Sequence, residues 1–193
     1  MKADAALQLL LSANQLKRIP RTGWMMRGIS DGESVSEHTC GVAFVCLVLA
    51  DLVDRPVDRA KLLSMALLHD LPEAVLGDIP APALRHLAPD VKREAEEDVL
   101  RLLLDELPQR ERWYTWWRDL EERASTEARL VRDADRIDML IQAFVYEETT
   151  GNRWLDEFWM ETTPDTFEFD ASRSLFEALC GVSGRHGIEH DVD

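Results

Sequence analysis

Residues 125–148, STEARLVRDADRIDMLIQAFVYEE, read as one long helix, and their pattern decides the fold class. Ala128, Val131, Asp135 and Met139 recur at three- and four-residue steps, which places them on one side of a helix. Asp135 therefore interrupts an otherwise apolar stripe, which asks for a partner in the interior.

The same helical spacing extends outward in both directions, and alternating runs rich in β-branched residues are nearly absent, so the spacing predicts an all-α protein. A first helix is expected over about residues 3–17, ended by Pro20. The arginine-rich segment RTGWMMRGISDGES, with Gly23, Gly28 and Gly32, reads as a loop. Ser34 and Glu37 form a Ser-x-x-Glu capping box, which predicts a helix over about residues 35–53 with His38 in its first turn. A further helix is expected from Asp58 to His69 at least, with Leu62, Met65, Ala66 and His69 on one face. Pro72, Gly77, Pro80 and Pro82 then bend the chain.

Downstream, residues 90–107 predict an amphipathic helix stopped by Pro108, and WYTWW (113–117) a short helix whose tryptophans serve packing. Beyond Gly151, Trp154, Phe158 and Trp159 precede a helix over about residues 170–179, closed by Gly181. One domain over residues 1–180 with a flexible tail over 181–193 is the expected organisation.

His38, His69, Asp70 and Asp135 are good ligand types at positions where the helical pattern predicts burial or near-burial. Sequestering two carboxylates and two imidazoles together requires compensation, and one divalent cation supplies it. Carboxylate oxygens with imidazole nitrogens suit Mn, Co, Fe, Ni or Zn, without deciding among them. Singly, each has a plain alternative as a hydrogen-bonded core residue or a helix charge. Asp133 and Asp138 read as solvated or ion-paired charges, and Cys40 as a small core residue.

The formal charge of −15 and pI near 4.7 disfavour nucleic-acid polymers and anionic membranes, leaving a small anion held by a cation and arginines. No segment reads as long enough to span a membrane, and Cys40, Cys46 and Cys180 form no CxxC pair, so a reducing, cytoplasmic home is expected.

The strings ESVSEHT (33–39), ALLHDLPEAVLGDIP (66–80) and VRDADRIDMLIQA (131–143) resemble the HD-domain superfamily, whose pattern is H…HD…D. Over roughly residues 16–148 they are similar to bacterial 5′-deoxynucleotidases and their eukaryotic HD-domain relatives. The resemblance implies an HD-domain helical bundle that holds one divalent metal through His38, His69, Asp70 and Asp135. It further implies hydrolysis of (deoxy)ribonucleoside 5′-monophosphates to nucleoside and orthophosphate. Glu73 would orient or deprotonate the attacking water, and Asp78 would assist or touch the sugar. Glu73 as a helix-end charge and Asp78 as a turn or capping residue are the alternatives.

Arg21 in PRTGW matches the family's arginine and is the candidate for the phosphate, while Trp24 packs either on the nucleoside or in the core. In the bacterial enzymes that arginine directly precedes a tryptophan; here Thr22 and Gly23 intervene. A homodimer is expected from the resemblance and from the aromatic residues at 113–117 and 154–159. A nucleoside triphosphatase, a phosphodiesterase or a non-catalytic nucleotide- or protein-binding module with a structural metal would use the same ligands. A di-iron oxygenase would require more histidines between the HD pair and the last aspartate than His86 alone.

Overall fold

The computed structural model describes residues 2–185, which fold as helices joined by short connections. In chain order these are α1 (Lys2–Ala13), α2 (Thr22–Met25), α3 (Val35–Leu52), α4 (Arg59–Leu68), α5 (Glu73–Leu76) and α6 (Ala81–Leu84). They are followed by α7 (Pro89–Leu104), α8 (Arg110–Glu122), α9 (Thr126–Thr150), α10 (Asp156–Met160) and α11 (Asp170–Val182). No strand forms among the described residues, although an isolated antiparallel bridge joins Pro20 to Ser34. That bridge pins both ends of the loop before α3, with Arg21 N donating to Glu33 O at 3.0 Å and Val35 N to Ile19 O at 2.9 Å.

The expected capping box opens α3: Ser34 Oγ accepts from Glu37 N at 3.2 Å and Glu37 Oε2 from Ser34 N at 2.7 Å. Asp58 and Ser125 cap α4 and α9 through the side chain alone, each accepting from the backbone N–H three residues on. These bonds satisfy first-turn N–H groups that would otherwise lack acceptors, so they fix where each helix starts.

The long helix α9 lies at the centre, with α3, α4, α8 and α11 against it. Leu62, Met65, Val42, Leu49, Leu130 and Leu140 are fully buried in that layer, each stabilising the fold by about 1.5–3 kcal/mol. A second apolar cluster joins α1, α7 and α8 through Leu9, Leu16, Leu100, Leu104 and Trp117.

Several expectations change. The first helix stops at Ala13 and tightens into a 3₁₀ turn over Asn14–Arg18. Cys40 is exposed on α3 and is not a core residue. On length and composition α3, at 18 residues, does qualify as a membrane-length helix; here its inner face, with Val35, Val42, Cys46 and Leu49, forms part of the core. Trp117 and Trp159 are buried and only Trp154 is largely exposed, so core packing absorbs most of the aromatic surplus that suggested a dimer. The last helix runs through Gly181 to Val182, and Arg185 pairs with Glu147 Oε2 at 2.9 Å and with Asp156. Residues 181–185 of the expected tail are thus held by the fold, and positions 186–193 lie outside the described residues.

Candidate active site

Pro72 is the local origin of the site, because a proline disfavours helical conformation in the residue before it and cannot donate to a continuing helix. Helix α4 ends at Leu68, with His69 as its C-cap, and a short turn follows before the chain restarts as α5 at Glu73. On an uninterrupted helix His69 and Asp70 would diverge by about 100°. Across the turn His69 Nε2 and Asp70 Oδ2 instead come to 3.1 Å.

α3 and α9 bring the other two candidates. His38 Nε2 lies 3.2 Å from Asp135 Oδ1, 3.7 Å from Asp70 Oδ2 and 3.5 Å from His69 Nε2. One atom from each of His38, His69 and Asp135 falls within 4.8 Å of the others, as a shared cation requires. Each imidazole is also oriented from behind. His38 Nδ1 donates to Asp138 Oδ2 at 2.8 Å and His69 Nδ1 to the Ala66 carbonyl at 2.7 Å, since those oxygens accept. Both Nε2 atoms are thereby aimed at the cluster, the arrangement in which a ligating histidine is held by an outer hydrogen bond.

The electrostatics show what the cluster is built to receive. Burial opposes charge on His38, yet hydrogen bonds to Asp135 and Asp138 outweigh it and push the imidazole up to about 10. Burial would raise Asp70 and Asp135, but the histidines and Arg21 hold both well below the usual carboxylate range. Two ionised acids and a proton on His38 Nε2 thus occupy the region where a divalent cation would sit. Glu73 contributes a further acid. It is buried, its Oε2 has no hydrogen-bond partner among the described residues, and burial followed by the charges of Asp70 and Asp78 pushes it up to about 9. An orphaned buried carboxyl oxygen beside two imidazoles and two carboxylates fits a cation-assisted site.

A cavity of about 390 Å³ is lined by His69, Asp70, Glu73 and Asp135, with His38 buried behind them. Arg21 enters it and donates to Asp70 Oδ2 at 3.1 Å. Asp78 lines the same cavity, and its Oδ2 accepts from both Thr22 N and Thr22 Oγ1 at 2.5 Å. Asp78 thus caps α2 from 56 residues away and fixes the backbone that presents Arg21. Trp24 is 2% exposed; its indole N–H donates to Glu33 Oε1 at 2.9 Å and its ring packs 4.5 Å from Phe158. Its principal place is the core, and its edge forms cavity wall.

A family model described as HD domain matches residues 13–168. The chain belongs to the HD domain family. A curated relative from Danio rerio, 5′-deoxynucleotidase HDDC2, is 38% identical over 95% of this chain and 90% of its own length. The Homo sapiens protein of the same name is 36% identical over 76% of this chain and 70% of its own. Among solved structures, the PH0347 protein from Pyrococcus horikoshii OT3 is 37% identical, covers 93% of this chain and 99% of its own, and superposes with a TM-score of 0.76.

In this HD domain several residues matter that the sequence did not single out. Asp138, read as a helix charge, is the acid behind His38. Gly41 makes room for it: a Cβ there would meet Asp138 Oδ1 at 2.1 Å. Lys92 reaches the cavity while paired with Glu96 at 3.0 Å, and Phe158 closes a wall beneath the Arg27 guanidinium. Asp133 is neither solvated nor ion-paired, because it is buried and accepts from Glu168 N and Phe169 N.

Proposed function

We propose that the chain is a metal-dependent 5′-nucleotidase that hydrolyses (deoxy)ribonucleoside 5′-monophosphates to nucleoside and orthophosphate. The observation that carries the proposal is the convergence of His69, Asp70, Asp135 and the orphaned Glu73 Oε2 at one cavity, with the buried His38 against Asp70 and Asp135 behind it. The relatives at 36–38% identity that bear the name 5′-deoxynucleotidase support the substrate class.

In this reading His38, His69, Asp70 and Asp135 hold the metal. When bound, a divalent cation would polarise a phosphoryl oxygen, lower the pKa of water and offset the charges of Asp70 and Asp78, which add to burial in keeping Glu73 protonated. Arg21 binds the phosphate, because its planar fork matches two oxygens and it already stands among the acids. Glu73 takes the proton of the attacking water. The water oxygen bonds to phosphorus as the bond from phosphorus to the 5′-oxygen breaks, and that oxygen leaves as the nucleoside hydroxyl with the proton Glu73 took up. Asp78 keeps the Arg21–Thr22 segment in register through its bonds to Thr22. The wall of Trp24 and Phe158 offers an apolar surface for the nucleoside.

The test uses protein stripped of metal, resupplied with Mn, Co, Zn or Mg, and offered dAMP, AMP, dATP and a cyclic dinucleotide. Orthophosphate released from the monophosphates is the expected product. Pyrophosphate or tripolyphosphate released from dATP in its place would reassign the chain to triphosphate hydrolysis, and cleavage of the cyclic dinucleotide alone would make it a phosphodiesterase. Unchanged turnover in Asp70→Ala would remove the site.

A further inference from the structure

Arg129, Arg132 and Arg136 sit three and four residues apart on α9 and so share one face. With Arg123, which follows α8, they line a recess of about 70 Å³. Asp133 and Glu168 also border it, and neither forms an ion pair with Arg123, Arg132 or Arg136. Asp133 is committed to the backbone N–H groups of Glu168 and Phe169, and Glu168 pairs with Arg129 at 3.3 Å. Arg123, Arg132 and Arg136 form no ion pair among the described residues.

Such a grouping is costly as it stands. Like charges at i,i+4, as Arg132 and Arg136 are, destabilise a helix. Arg123 is the only residue other than glycine with positive φ among the described residues, at 52°, a conformation where glycine or asparagine would be less strained. In a chain with 22 basic and 37 acidic residues, four guanidinium groups around one concavity, with only Arg129 ion-paired among the described residues, have the composition of an anion receptor. Guanidinium forks bind phosphate oxygens in pairs. Arg132 also lines the active-site cavity, so the recess lies one side chain away from it.

We propose that this recess is a second anion site, which binds a phosphate group. The phosphate is either free orthophosphate or the terminal group of a nucleoside polyphosphate, because the recess has room for a tetrahedral oxyanion while a nucleoside would lie outside it.

Calorimetry on the full chain, loaded with Mn, tests the proposal. Inorganic phosphate and a non-hydrolysable nucleoside triphosphate are titrated separately into wild type, Arg21→Ala and the double variant Arg123→Ala/Arg136→Ala. The expected wild type binds phosphate at two sites, and Arg21→Ala retains the second of them. The double variant keeps its turnover and loses about tenfold or more in affinity at that second site. Arg123→Gly, which relieves the positive φ, should raise the melting temperature while weakening phosphate binding, a combination that misfolding cannot produce. Equal affinity for the two probes identifies the free anion, and tighter binding of the triphosphate identifies the polyphosphate tail. A single wild-type site abolished by Arg21→Ala, or a second-site affinity unchanged in the double variant, overturns the proposal. Binding is read without turnover, so this outcome is independent of the nucleotidase reading.

Discussion

Asp138 Oδ2 lies 2.8 Å from His38 Nδ1, while Asp135, three residues earlier on α9, places Oδ1 3.2 Å from Nε2 of the same ring. A single imidazole is thus gripped at both nitrogens by one turn of one helix. Asp135 faces the cavity and Asp138 orients the ring from the far side, so the two acids have separable effects.

Asp138→Asn should retain the fold and weaken metal binding by about 10- to 100-fold, the usual consequence of losing the acid behind a ligating histidine. Metal titration by calorimetry, with a melting curve to show that the fold survives, checks it. An affinity equal to wild type would mean that Asp138 does not set the ring.

Gly41→Ala should be destabilising by roughly 1–3 kcal/mol, the range of overpacked positions, because the new Cβ would meet the Asp138 carboxylate at 2.1 Å. Metal affinity should fall with it. The cost should be much smaller in the Asp138→Ala background, since neighbours that share one space are not additive. Denaturant unfolding of the four proteins measures the coupling.

The metal-free protein should lose stability as pH rises. Glu73 is pushed from 4.5 up to about 9, mainly by burial, so its contribution is complete below pH 4.5 and is lost as pH climbs towards 9. His38 is raised from 6.5 to about 10, its bonds to Asp135 and Asp138 outweighing burial, and its contribution is lost over that higher window. Metal-free Glu73→Gln should show a shallower decline and melt higher than wild type at neutral pH, while the metal-loaded variant should turn over no substrate. Melting temperature against pH, with and without metal, is the measurement; bound metal should flatten the profile because it replaces the proton and offsets the acids.

Arg21→Lys should lower kcat/KM for a nucleoside monophosphate by roughly 10- to 100-fold, as a point charge replaces a bidentate fork. Steady-state kinetics on the metal-loaded variant reads this directly. A change below twofold would take the phosphate away from Arg21.

Helix periodicity, the Ser34–Glu37 capping box and the caps at Asp58 and Ser125 are local properties, and the sequence determined them because the residues concerned lie within one turn of each other. The same holds for His38, His69, Asp70 and Asp135 as ligand types interrupting apolar stripes. Tertiary structure decided everything set by distance across the chain: that Asp138 holds His38 from 100 residues away, and that Gly41 leaves it room. It also decided that Asp78 caps Thr22 and that three arginines of α9 share one recess with Arg123, which follows α8. A one-dimensional pattern reports which face of a helix is apolar. Which residues of two helices touch depends on the angle and register of their packing, which only the assembled core fixes.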